Sequence, residues 1–424
     1  SALRLTAFLS ALFYLFNLAT VQVFYAPFEM FATQYAALPW ILFFSLRFLN
    51  ENNSELRITN YELRKKSLVW FVLVTLLATP QAYAAHLWYP LFGMYALFLI
   101  CYALLNKKEA WIPDQVRDDM TGKSADTNFV RIGGGAGTST STERQNSISS
   151  GFIIKKSLFL IALTLLLNSF WLLPNLYYIT TQGNTPKESK QNRIYSQEYR
   201  LRNREHGYIQ DIALNRGFYF NWSIYKFENN KFDYLMPEWR KHLNNPFVAG
   251  TGYILFATSI VGIYLSFKKR LHFQKAIIPF FAIPFIFLIN HTPPFEWIFD
   301  FLTQFSIFEE ALRFVFTKFF IVFQFALTIY FSVAIYFLLH KIRLKYLVGL
   351  LVSILLIFYT LPIFQGKLIS SQFKITIPQD YFKFWQFMNQ KEDGLVLSLP
   401  LHSFSGWQYN DWAVPTARQG YQGS

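Results

Sequence analysis

Apolar residues fall in long runs along this chain, and polar residues gather between them. A bilayer needs about 20 consecutive, mostly apolar helical residues. Nine runs approach that length: roughly 5–24, 37–50, 67–84, 88–106, 155–174, 247–267, 274–290, 313–340 and 346–364. The second is short, so it spans only if Arg47 snorkels and the segment begins near Gln34. The eighth is long enough to tilt or to include an interfacial turn. The pattern predicts an all-α polytopic membrane protein with about nine transmembrane helices.

The connections predict an orientation. Lys plus Arg number five in 47–66, eight in 107–156, four in 268–275 and three in 341–345. The intervening short connections 25–36, 85–87 and 291–312 have none. By the positive-inside rule the N-terminus lies inside and the C-terminus outside. Loop 175–246 carries eleven basic residues yet falls outside. It is too long for the rule to govern it. The expected organisation is membrane helices in 1–106, an inner loop 107–154 and a fifth span 155–174. An outer loop 175–246, further spans in 247–364 and the start of an extracytoplasmic α/β or β-rich domain at 365–424 follow.

Composition sharpens this picture. Hydrophobic residues make up 53% of the 424 residues and charged ones 15%, against about 25% charged in ordinary soluble domains. Such a chain is neither a simple cytosolic enzyme nor disordered. The formal net charge of +14 belongs mostly to topology-setting loops, so no nucleic-acid partner is expected. A single cysteine, Cys101, excludes an internal disulfide and a Cys-based zinc site.

Two inner loops read as insertions. Residues 54–66 are SELRITNYELRKK, in which Glu-Leu-Arg occurs at 55–57 and again at 62–64. Residues 110–122 lead into a Gly/Ser/Thr stretch, for which disorder is expected. Gly133 to Gly137 lack the Gly-Lys-Ser/Thr ending of a phosphate loop. Asp118 and Asp119 lie inside the second element and are read as part of it. The chain enters an apolar run soon after Ser1 and stops at Ser424 in mid-pattern, which reads as a piece open at both ends.

The candidate chemistry lies in the outer regions. Loop 175–246 is aromatic and basic, with Tyr195, Tyr199, Tyr208, Tyr219, Trp222, Tyr225 and Trp239. Aromatic faces stack on sugar rings, and Trp222 and Trp239 are the candidate glycan contacts. An interfacial lid would be rich in the same residue types. In 290–319, Glu296, Asp300, Glu309 and Glu310 precede Arg313 and Lys318. Cations at the outer end of a span can hold a phosphate, and they also serve as ordinary interfacial anchors. Glu29 and His86 stand in the first two outer connections and are candidate bases or ligands. No metal-ligand spacing and no Gly-x-Ser-x-Gly elbow appears, so no cofactor is evident and a divalent metal has no support. In the tail, Ile377 to Tyr381 read as a helix start, and Leu395 to Pro400 as a strand ended by proline.

Several segments, taken in order, resemble bacterial polytopic glycosyltransferases of the GT-C type. The likeness is to the alpha-(1→3)-arabinofuranosyltransferase family and the related YfhO-like membrane proteins. Leu15-Phe16-Asn17-Leu18-Ala19-Thr20 resembles the family's Asn-containing early span, with Leu18 where Pro is usual. Asn168-Ser169-Phe170-Trp171-Leu172-Leu173-Pro174 resembles the end of a middle span. Arg313-Phe314-Val315-Phe316-Thr317-Lys318-Phe319 resembles an Arg-x-Pro-x-Lys-Phe signature without its Pro. Pro378 through Pro400 resembles the segment after the membrane.

The resemblance implies a polyprenyl-phosphate sugar as donor and a cell-surface glycan as acceptor, at the outer face of a bacterial cytoplasmic membrane. It implies that Arg313 and Lys318 hold the lipid phosphate. The family's catalytic carboxylate follows a first span that would precede Ser1. Glu29 is the best visible carboxylate, although no family motif covers it. A transporter or flippase, or an accessory protein of lipid-linked glycan assembly, is the competing expectation.

Overall fold

The computed structural model describes residues 2–26, 28–50, 57–109, 139–183, 185, 204–220, 222–226, 231–370, 377–391, 407–410 and 420–423. These residues are mostly helical. The long or apolar helices are α1 (Ala2–Leu15), α2 (Leu18–Tyr25), α3 (Glu29–Asn50), α4 (Arg57–Leu77) and α5 (Ala85–Glu109). They continue with α6 (Ser139–Gln182), α7 (Pro246–Lys268), α8 (Ile278–Leu288), α9 (Val315–Lys341) and α10 (Lys345–Tyr359). Four stretches are long and apolar enough to cross a membrane: Ala85–Asn106, Gly151–Gln182, Pro246–Lys268 and Val315–Lys341. Counting α1 and α2 as one broken span makes five.

Helix α9 is the hub. It packs against α1, α3, α5, α7 and α8, and 72% of its most apolar stretch is buried, against 28% for α6. The exposed face of α6 carries Leu166, Phe170 and Leu173, which suits hydrocarbon rather than water. The interior is a mesh of rings. Phe281 stacks on Phe285 and Phe323, at 5.5 and 5.4 Å between centroids. Phe98 meets Phe273 and Phe280 edge-on at 6.1 Å each, the offset geometry that ring quadrupoles favour.

Helices α1 and α2 are bent by 46°, and Asn17 is the reason. It caps α2, accepting from the Thr20 amide at 2.8 Å. Its Nδ2 donates to the carbonyls of Phe13 and Tyr14 at 2.9 and 2.7 Å. Those carbonyls end α1, where unpaired groups in an apolar surrounding would be costly. The Tyr35 hydroxyl also donates to the Tyr14 carbonyl at 2.7 Å, and the Tyr14 hydroxyl donates to the Tyr35 carbonyl at 2.8 Å. The break is therefore hydrogen-bonded without the proline the resemblance leads one to expect at 18. Asn17→Leu should cost about 2 kcal/mol, seen as a lower melting temperature in detergent. An unchanged melting temperature would show that the cap contributes nothing.

Several boundaries differ from the pattern in the sequence. Helix α4 begins at Arg57, inside the segment read as an inserted loop, and ends at Leu77 rather than near 84. A 3₁₀ turn, Thr79–Tyr83, follows. Pro80 disfavours helical backbone just before it and ends α4 there. Helix α6 begins at Ser139, so 139–154 continues the following span as helix. Extending a helix already nucleated costs little per residue. The expected span 274–290 is two short helices, His272–Ala276 and α8. Residues 110–138 and 392–406 lie outside the described residues, with the Asp118–Asp119 pair, the glycine run and the strand expected at 395–400. A helix does start at Gln379, running to Asn389 with none of its residues buried. The strands Trp407–Asn410 and Gly420–Gly423 pair antiparallel.

Candidate functional site

One end of the helix assembly carries a small folded unit made from the long loop. Helix Ile209–Ala213 ends in a Schellman turn. The amide of Asn215 donates to Ile212 at 3.0 Å and that of Arg216 to Asp211 at 2.8 Å. Asn215 takes a left-handed backbone, φ 54°, as such a turn requires and as Asn tolerates. The hairpin Ser223–Lys226 with Lys231–Tyr234 follows, antiparallel, with Ser223 opposite Tyr234. Helix Pro237–Leu243 leads into α7.

This unit docks onto the other loops and helix ends at that side. Arg204 pairs with Asp300 at 2.6 Å. The His291 amide donates to the Gly207 carbonyl at 3.2 Å, and the His291 ring meets Tyr208 edge-on at 4.8 Å. The Tyr25 hydroxyl donates to the Leu235 carbonyl at 3.0 Å. Glycine at 217 lets the loop lie against the Phe316 ring, since a Cβ there would overlap that ring. A buried amide chain ties loop to spans. Gln22 Nε2 donates to the Asn215 carbonyl at 2.7 Å, and Asn215 Nδ2 donates to Gln324 Oε1 at 2.9 Å.

The basic residues singled out from sequence lie beneath this unit. Lys318 is 2% exposed, and its Nζ donates to the Phe314 carbonyl at 3.3 Å. The Arg313 guanidinium stands 5.2 Å and Lys318 Nζ 5.8 Å from the centre of the Phe314 ring. One aromatic residue thus flanks both cations. His86, at the start of α5, lies within the electrostatic reach of both. Sequence spacing gave no sign that His86 joins them. Glu29 is exposed in the first turn of α3. Two residues on, Phe31 meets Phe320 at 6.2 Å, so the start of α3 enters beside the first turns of α9.

A polar cavity of about 210 Å³ lies within the unit. Glu205, His206, Asp211, Arg216, Arg240 and Asn244 line it, with Phe220 and Leu243 as its apolar wall. Arg216 Nη1 and His206 Nδ1 stand 3.7 and 3.8 Å from Asp211 Oδ1. Arg240 donates to the Phe220 carbonyl at 2.6 Å and lies 3.8 Å over the Tyr234 ring. Mixed carboxylates, guanidinium groups and an amide suit a polyhydroxylated or anionic ligand. Sequence reasoning missed these residues. The available signal was Asn215-Arg216-Gly217, a helix-stop that folds Arg216 back toward Asp211.

The aromatic candidates divide. Trp222 is half-buried and stacks with Tyr219, 6.2 Å between centroids. Trp239 is 1% exposed and its indole N–H donates to the Lys367 carbonyl at 2.9 Å. That geometry makes it an anchor of the unit against the chain after α10. Burial also pushes the Tyr219 hydroxyl above the ordinary phenol range. Of the acids before Arg313, Asp300 is taken up by Arg204, and Glu296 stands 3.5 Å from His291. The side chains of Tyr225 and Glu310, and residues 195 and 199, lie outside the described residues. Among the described residues no three His, Cys, Asp or Glu side chains converge as a metal ion would need.

No protein-family model matches this chain, and neither a curated protein nor a solved structure shows significant similarity to it.

Proposed function

We propose that this chain is a nine-span membrane glycosyltransferase, moving a sugar from a polyprenyl-phosphate donor to a cell-surface glycan at the outer face of a bacterial cytoplasmic membrane. Arg313 and Lys318 flanking the one Phe314 ring at the loop-bearing end, with His86 within their electrostatic reach, carry the reading. In the transfer, the acceptor hydroxyl loses its proton and its oxygen bonds to the anomeric carbon. The bond from that carbon to the phosphate oxygen breaks, and polyprenyl phosphate leaves with the electron pair. Charge grows on that phosphate as the bond breaks, so fixed cations stabilise the transition state more than the bound donor. Arg313 supplies paired donors and Lys318 a compact charge. Glu29, beside the same helix starts, is the proposed base. The polar cavity suits the acceptor sugar, and half-buried Trp222 in the same unit is the remaining candidate for a glycan contact.

The proposed orientation follows from the charge of the opposite end. There Lys156 reaches the carbonyls that end α3, at 2.8 and 3.3 Å, and Lys268, Lys269 and Arg270 end α7. Such an end faces the cytoplasm, and the folded loop unit and the C-terminus then lie outside.

Passage of a lipid-linked glycan is the second reading. The broken helix at Asn17 and the buried amides Gln22 and Gln324 favour it, because interrupted spans with internal polar groups line transport sites. The test is the full chain in lipid vesicles with a panel of polyprenyl-phosphate sugars and a glycan acceptor. Sugar transfer with release of polyprenyl phosphate is expected. Arg313→Ala should weaken donor binding about tenfold; equal binding removes that assignment. Donor movement across the bilayer without transfer would establish the second reading instead.

A further inference from the structure

At the end of the assembly opposite the folded loop, a cavity of about 330 Å³ opens between α3, α4 and α6. Its polar lining is Lys65, Lys155 and Lys156, and its apolar walls are Phe48, Phe152, Phe159 and Leu68. Among the described residues that line it, none is acidic. Lys156 forms the floor: it is 5% exposed, donates to the Phe48 carbonyl at 2.8 Å and lies 4.7 Å from the centre of the Phe152 ring. Lys65 and Lys155 are exposed and come from two different helices. Setting topology requires basic residues near a span end, not their convergence on one cavity. A described lining with three ammonium groups on one side and phenyl and leucyl groups on the other fits a molecule that is anionic at one end and hydrocarbon at the other. The surrounding face points the same way. Phe159 and Leu158 are exposed, at 47% and 54%, one turn further along α6.

We propose that this cavity binds the phosphodiester headgroup of an anionic phospholipid, with the acyl chains lying along Phe159 and Leu68. Lys65 and Lys155 neutralise the phosphate, and Lys156 holds the end of α3 as the floor. Basic pockets between spans at a cytoplasmic surface take such headgroups. The inference rests on the chain crossing a membrane, and it is independent of the sugar-transfer reading.

The test uses the full chain in detergent, with bound lipid counted by native mass spectrometry after exposure to mixed phosphatidylglycerol and phosphatidylcholine. Phosphatidylglycerol should be retained on the order of tenfold better than phosphatidylcholine. Lys65→Gln with Lys155→Gln should abolish the preference, and Lys65→Arg with Lys155→Arg should keep it. Lys268→Gln with Lys269→Gln, which removes the same charge at the same end, should also keep it. Equal loss in that control pair would overturn the site in favour of a diffuse field. Displacement of the lipid by millimolar inorganic phosphate would overturn the lipid in favour of a free anion. No preference in the unaltered chain would overturn both.

Discussion

Gly262→Leu will destabilise the helix assembly by about 3 kcal/mol or more. Gly262 sits where α7 crosses α9, and even a Cβ built on it would overlap the carbonyl of Tyr330. The obstacle is backbone, so no side chain can rotate out of the way. The two helices must separate, and α9 is the element on which most others pack. In a membrane the packing of helix backbones at small residues is itself a driving force for association. Gly262→Ala should be harmful too, though less so. Gly250 tests the explanation within the same helix. Nothing lies within 4 Å of a Cβ placed there, so Gly250→Ala should raise stability by about 0.5–1 kcal/mol through the unfolded chain and helix propensity. Melting temperature and the monodisperse fraction in detergent measure both. Equal effects at 262 and 250 would mean that helix propensity, not close approach, governs both positions.

The helical character was legible because apolar runs are local properties of sequence, whereas four or five stretches, not nine, have the length and apolar character of a span among the described residues. What could not be read were contacts between distant segments. Arg313 and Lys318 stood out as cations at the start of a span, but their grouping with His86 depends on α5 and α9 being neighbours. Apolar periodicity says nothing about which span sits beside which, because every face of a membrane helix is apolar. The break at Asn17 hid for a related reason. Within an apolar run one Asn reads as a tolerated polar residue, and its role as a cap emerges only from Thr20 and Tyr35 around it. Trp239 shows the converse. Aromatic character alone suggested a sugar platform, yet the indole is consumed in holding the loop unit to Lys367. The cavity beside it is built from residues scattered over 205–244, which no linear motif connects.

If the chain transfers sugar as proposed, Lys318→Met will lower that transfer about a hundredfold, the range seen when one fixed stabiliser of developing charge is removed. Methionine keeps the length and apolar character of the lysine stem, which is what packs in the buried first turn of α9, so the chain should remain folded. The hydrogen bond to Phe314 is long, at 3.3 Å, and its loss is a small part of the change. The informative quantity is how the loss divides. If Lys318 meets the phosphate as it leaves, kcat should fall far more than donor binding weakens, because the interaction grows along the reaction. Lys318→Arg, which keeps the charge but spreads it over a larger planar group, should recover part of kcat. If the chain instead carries a lipid-linked glycan across the bilayer, the phosphate bears the same charge throughout. Binding and movement should then weaken together, by similar factors. A variant that folds, binds donor and transfers at the normal rate would leave Lys318 as an interfacial anchor and remove it from the chemistry.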